Sequence, residues 1–100
     1  FEVVPRSDIV LLKADGNYTL IQLSDHRELM VSQNIGKFEY LVNQCGFLKI
    51  HRSNIINPEY FRKVNRISKH CIMSCKGHEY RSKVSSKGLK ILDDYFTIAE

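Results

Sequence analysis

The sequence predicts a mostly β fold, an elongated arrangement of short antiparallel strands with one or two short helices. Three observations carry it. Short apolar and β-branched runs recur along the chain, turn signals rich in Gly, Asn and Asp punctuate them, and only two stretches place apolar residues at helical spacing. At 100 residues the chain can build one modest core but not two, so residues 1–100 are read as a single domain. With 43% hydrophobic and 26% charged residues it has the composition of a folded, soluble protein rather than a disordered tail.

The elements follow in order. Ile9 to Lys13 is an apolar run of strand length, and Tyr18 to Leu23 is rich in strand formers. Between them Asp15-Gly16-Asn17 is a hairpin turn signal, since Gly and Asn accept positive φ at low cost. Asp25-His26-Arg27 makes a second turn before Glu28 to Val31. Ile35, Phe38, Leu41 and Val42 then recur at helical spacing, with Ser32 or Asn34 available as an N-cap and Gly46 as a stop. Strand-like pieces follow at Phe47 to His51, Phe61 to Arg66, Cys71 to Cys75 and Glu79 to Ser82, separated by Asn57-Pro58, Ser68-Lys69 and Lys76-Gly77. From Val84 onward Val84, Gly88, Ile91, Leu92 and Tyr95 fit a terminal helix, with Gly88 a weak point in its middle.

Charge is distributed unevenly. Residues 1–48 hold four basic and six acidic side chains, a net charge of −2, whereas residues 49–90 hold eleven basic and two acidic ones, a net charge of +9. A basic segment inside a folded domain suits an anionic partner, because clustered Lys and Arg release condensed counterions from a phosphate backbone. The basic residues lie on short strands and turns rather than along one helix. That pattern excludes a basic-region leucine zipper and disfavours a helix-turn-helix, leaving loops or strands to do any recognition.

Three segments carry a resemblance to a known family. Asp15-Gly16-Asn17-Tyr18-Thr19, after an apolar strand, resembles the Gly-Asn-Tyr-Thr segment near the start of LytTR DNA-binding domains. Lys49-Ile50-His51-Arg52-Ser53-Asn54-Ile55-Ile56-Asn57 resembles that family's central His-Arg-Ser signature, and Val84-Ser85 is similar to the Val-Ser pair ahead of its last helix. Together with the strand before the first and the helix after the last, they span residues 8–92 in the expected order. The resemblance implies an elongated β fold whose loops enter successive major grooves of double-stranded DNA. It implies base reading from Asn17 or Tyr18 and from the loop holding Lys83, Ser85, Ser86 and Lys87, with phosphate contacts from His51 and Arg52. It further implies two copies on repeated half-sites, an upstream receiver domain, and a parent that is a bacterial two-component transcriptional regulator of which this is the C-terminal part. The chain departs from the family pattern at Asn54, where an aromatic or apolar residue is usual, and at Ser86, where a basic one is common. The second departure leaves open whether Lys83, Lys87 or neither is the basic base-reader.

The same residues have independent chemistry. Arg52 offers a planar fork of donors for phosphate or guanine, and His51 can donate or accept beside it. On an extended strand Arg52 would share a face with Leu48 and Ile50, unless the strand ends or twists near His51. His51 equally suits packing and orienting the turn. Asn17 suits a turn as well as a base edge, and Tyr18 suits a core position as well as a sugar or phosphate. Ser53 and Asn57 are better turn-formers than contacts. Lys83 and Lys87 flank a helix start, whose free N–H groups add to phosphate attraction, although both also suit a solvated surface.

Other classes fit less well. His70, Cys71, Cys75 and His78 look like a zinc set, but on a strand Cys71 and Cys75 stand about 13 Å apart, too far for one metal or a disulfide. Cys45, in step with Leu41 and Val42, suits packing better than catalysis with His51, and nothing beyond residue type supports Ser53 as a nucleophile. No phosphate-binding glycine loop or dinucleotide fingerprint is present, so neither an enzyme nor a cofactor nor a small-molecule substrate is expected. The runner-up is an interaction module that binds RNA or an acidic protein, though RNA stacking wants aromatics on an open sheet face and most here suit the core. No apolar run reaches the roughly 20 residues that cross a bilayer, and three cysteines without framework spacing suit a reducing compartment, so a cytoplasmic location is expected. Phe1 in place of an initiator Met suits a fragment of a longer chain.

Overall fold

The computed structural model describes residues 3–97, in which the predicted strands and helices appear in the predicted order with one addition. The strands are β1 (Ile9–Asp15), β2 (Tyr18–Leu23), β3 (Glu28–Val31), β4 (Leu48–His51), β5 (Asn54–Ile56), β6 (Phe61–Asn65), β7 (His70–Cys75) and β8 (His78–Lys83). Helix α1 (Glu39–Cys45) lies between β3 and β4, and α2 (Ser86–Tyr95) follows β8. A five-stranded sheet in the order β3-β2-β1-β5-β4 faces a three-stranded sheet in the order β6-β7-β8, every pairing antiparallel. The extents, 43 × 28 × 24 Å, give the elongated shape that was expected.

The larger sheet is covered on both faces. On one, Leu12, Ile21, Leu23 and Ile55 pack with Leu41 and Phe47 beneath α1. On the other, Val10, Leu11, Ile50 and Ile56 meet Cys71, Met73 and Cys75 of β7 and Val84 and Leu92 at the α2 end. Burial on both faces explains why β1 opens with four consecutive buried apolar residues instead of an alternation. β7 packs one face only and so alternates, with Cys71, Met73 and Cys75 inside.

Three local details differ from the sequence reading. The added strand is β5, only three residues long, which is wedged between β1 and β4 and pairs with both. Gly16 alone takes positive φ (59°) in the β1–β2 turn, while Asn17 does not, so the turn does not require Asn at that position. The first predicted helix begins as a 3-10 turn over Ile35–Phe38, capped by Asn34, whose Oδ1 accepts from the Gly36 N–H at 3.0 Å, and only Glu39–Cys45 is α-helical.

The terminal helix starts two residues later than the apolar pattern suggested. Val84 is buried with its N–H donating to the Lys69 carbonyl, and Ser85 is the N-cap, its Oγ accepting from the Gly88 N–H at 2.9 Å. Gly88 is no weak point. Its Cα faces the Ile50 carbonyl so closely that a Cβ would lie 1.9 Å from that oxygen. Only a glycine lets α2 approach β4 this closely.

Candidate nucleic-acid interface

The His-Arg-Ser segment turns where β4 ends, beside Lys13 and Ala14 of β1. A register irregularity between Lys49 and His51 breaks the strand alternation, and the chain turns at Arg52 and Ser53 before β5 begins. Ile50 is therefore buried while Arg52 projects into solvent. The early end of the strand removes the conflict between Arg52 and its apolar neighbours Leu48 and Ile50.

His51 shapes this turn. Its Nδ1 accepts from the Ser53 N–H at 3.1 Å, so the bond requires the neutral tautomer that carries its proton on Nε2. Burial, then the nearby charges of Arg52 and Lys83, hold its pKa below the ordinary imidazole value. At neutral pH His51 is thus an uncharged donor through Nε2–H. The turn-orienting reading of this residue therefore holds through Nδ1.

The start of α2 is fastened to the same turn. The Ser85 N–H and Oγ both donate to the Ile50 carbonyl, at 2.9 and 3.2 Å. The Ser85 hydroxyl is committed to the fold, between Ile50 and Gly88. Ser86 accepts from Lys69 Nζ at 2.8 Å, whereas Lys83 and Lys87 are exposed. Asn54, buried on β5, donates through Nδ2 to the Lys83 carbonyl at 3.3 Å and so ties the end of β8 to the His51–Arg52 turn. Ser53 and Asn57 are structural, as expected. The Ser53 carbonyl accepts from the Ala14 N–H, and Asn57 bridges the Ile9 carbonyl and the Glu59 N–H.

Two open clefts flank His51 and Arg52. The first, about 460 Å³, is lined by Lys13, Ala14, His51, Arg52, Ser53, Asn54, His70, Arg81, Ser82 and Lys83. Four cations and two histidines line it without one carboxylate. The second, about 540 Å³, has Lys49, Lys87 and Ser85 with Val42 and Ile91, and its Glu39 is neutralised by an ion pair to Lys49.

Of the residues singled out in the sequence, His51, Arg52 and Lys83 line the first cleft, and Ser85 and Lys87 adjoin it through the second. Asn17 and Tyr18 line neither. They lie, exposed, on the neighbouring β1–β2 turn, two strand positions and about 7 Å beyond the level of Lys13, at the same end of the sheet. Sequence reasoning missed Lys13, His70 and Arg81. Arg81 was within reach, because Arg81 and Lys83 alternate with buried Ser82 on β8, and the register sets His70 opposite Lys83.

The cysteine and histidine set does not assemble. Cys71 and Cys75 face the core, with burial pushing the Cys71 thiol up to about 12, and among the described residues no group of three or more His, Cys, Asp or Glu is arranged to hold a metal. Cys45 is half-buried at the end of α1, packed on the core beneath it and accepting from Arg6 Nη1 at 2.6 Å. Among the described residues no helix is long and apolar enough to cross a membrane.

Comparison with known proteins agrees with this geometry. The LytTr DNA-binding domain family model matches residues 1–97. A solved structure described as the LytTr DNA-binding domain of a methyl-accepting/DNA response regulator from Bacillus cereus superposes with a TM-score of 0.68. It is 22% identical, and the match covers 91% of this chain and 83% of that one, so the two share a fold. No curated protein matches the chain. With the family model spanning nearly all of the chain and the architecture shared, the chain belongs to the LytTR family of DNA-binding domains.

Proposed function

We infer that residues 1–100 act as one sequence-specific, double-stranded DNA-binding output domain of a bacterial transcriptional regulator working in the cytoplasm. The observation that carries this is the first cleft: Lys13, Arg52, Arg81 and Lys83 with His51 and His70 converge on it, and no acidic side chain does. Such a surface matches a run of phosphates.

The residues divide by chemistry. Arg52, Lys13 and Lys83 bind backbone phosphate, and His51 donates Nε2–H to a phosphate oxygen without needing a charge. Asn17 or Tyr18 from the β1–β2 turn, and Lys87 beside Ser86 at the start of α2, enter the major groove, where amide, ammonium and hydroxyl groups can distinguish base edges. The end of β1 and the start of α2 are held by main-chain bonds from Ala14 to Ser53 and from Ser85 to Ile50, so little ordering of these elements is needed on binding. One such small reader covers few base pairs, which favours two copies on repeated half-sites. The description of the Bacillus cereus protein as a response regulator supports a parent chain of the same type, and the family resemblance implies a receiver domain upstream.

The test is selection from random-sequence duplexes at low and moderate salt, followed by sequencing of what the folded domain retains. A short repeated motif, bound less tightly as salt rises, is the expected result. A folded domain that retains no duplex even at low salt would overturn the reading in favour of an RNA or acidic protein partner.

A further inference from the structure

The turn between β6 and β7 presents an isoleucine, Ile67, that is 96% exposed. A lone exposed apolar side chain is ordinary, but three features set this one apart. First, the turn is braced by its own hydrogen bonds. The Asn65 side chain accepts from the N–H groups of both Ile67 and Ser68, at 2.9 and 3.0 Å, and the Lys69 N–H closes onto the Asn65 carbonyl at 2.9 Å. Second, the turn is fastened to the interface. The Lys69 carbonyl accepts from the Val84 N–H, and Lys69 Nζ donates to the hydroxyl of Ser86. On the other side Arg66 is held by Asp93 of α2 at 2.6 Å. Third, the strand ends it joins, Asn65 and His70, are paired with each other, and His70 is paired with Lys83, so the turn extends the sheet edge that lines the first cleft.

We propose that Ile67 is a further specificity residue that reads a thymine through apolar contact with its 5-methyl group. The inference rests on the DNA-binding reading and adds a contact to it. Among the four bases only thymine offers an apolar group in the major groove. A β-branched side chain on a pre-ordered turn can cover that methyl with little loss of rotamer freedom. The position also suits the departure at Ser86. Here the residue at the helix start is a short hydroxyl engaged by Lys69, and the turn that supplies Lys69 also carries the exposed Ile67.

The experiment uses the duplex recovered by selection, with each thymine replaced in turn by deoxyuridine, which lacks only the methyl group. Wild-type affinity should fall about fourfold at one position, the value of one buried methyl. Ile67→Ala should bind the thymine duplex more weakly and be indifferent to deoxyuridine at that same position. Because Ile67 packs on nothing, the variant should melt at the wild-type temperature. A wild type and an Ile67→Ala variant with equal affinity for the recovered duplex, or with equal sensitivity to every deoxyuridine, would overturn the proposal and leave DNA binding standing. A wild type that retains no duplex overturns both together.

Discussion

The α-carbon of Gly88 rests against the carbonyl of Ile50, and this contact positions the start of α2 beside the His51–Arg52 turn. A Cβ at Gly88 would lie 1.9 Å from the Ile50 oxygen and 2.6 Å from its carbonyl carbon, both backbone atoms that cannot swing aside. Helix propensity alone would have Gly88→Ala stabilise α2 by about 1 kcal/mol. The clash dominates, and Gly88→Ala is expected to destabilise the domain by about 1–3 kcal/mol or more. Chemical denaturation measures the sign directly.

Ser85 serves the same junction through its hydroxyl, which caps α2 at Gly88 and donates to Ile50. Ser85→Ala should cost about 1 kcal/mol, the usual value of a lost N-cap. Ser85→Thr keeps the oxygen and should retain most of the stability. If DNA affinity in the alanine variant falls no further than its folded fraction, the hydroxyl acts through the fold and not on the duplex.

Much of the fold was legible because it depends on local signals. The β1–β2 turn, the Gly46 stop and the alternation of Cys71, Met73 and Cys75 each lie within a few residues of chain. The unforeseen strand, β5, owes its existence to partners on both sides, and three residues carry too little periodicity to announce that. The site divides the same way. His51, Arg52 and Lys83 stand in recognisable surroundings and Arg81 alternates with Lys83, whereas Lys13 and His70 join them through strand register, Lys13 opposite Asn54 and His70 opposite Lys83. Gly88 is the sharpest case. Its sequence cost in a helix is visible, but its reason is a carbonyl 38 positions earlier in the chain.

Phosphate and base contacts should separate in binding assays. Removing one phosphate contact, as in Arg52→Ala or Lys13→Ala, should weaken binding to every duplex and reduce the slope of log affinity against log salt by roughly 0.9. Asn17→Ala or Lys87→Ala should instead cost about 1–3 kcal/mol at one position of the recovered motif and little on unrelated sequences. An Arg52→Ala domain that is folded and binds with unchanged affinity would remove Arg52 from the interface.

His51 gives the domain a pH dependence whose sign follows from its neutral state. Its folded pKa is depressed, chiefly by burial and then by Arg52 and Lys83, while in the unfolded chain it titrates near the ordinary value of about 6.5. Above that value both states carry a neutral imidazole and the turn is intact. As pH falls below it, the unfolded chain takes up the proton first, and stability declines until the folded pKa is passed. Protonation in the folded state also removes the lone pair that accepts from the Ser53 N–H. His51→Asn puts a non-titrating oxygen near the Nδ1 position, so it should keep the bond and lose the titration. The expected result is that wild type loses more of its melting temperature between pH 7.5 and 5 than His51→Asn does, as thermal denaturation at the two pH values would show. Equal losses would mean that the acid sensitivity lies elsewhere. DNA binding works in the opposite direction, because a phosphate against Nε2 favours the charged ring. In the complex the pKa should therefore rise, and binding below neutral pH should be accompanied by proton uptake that the Asn variant lacks.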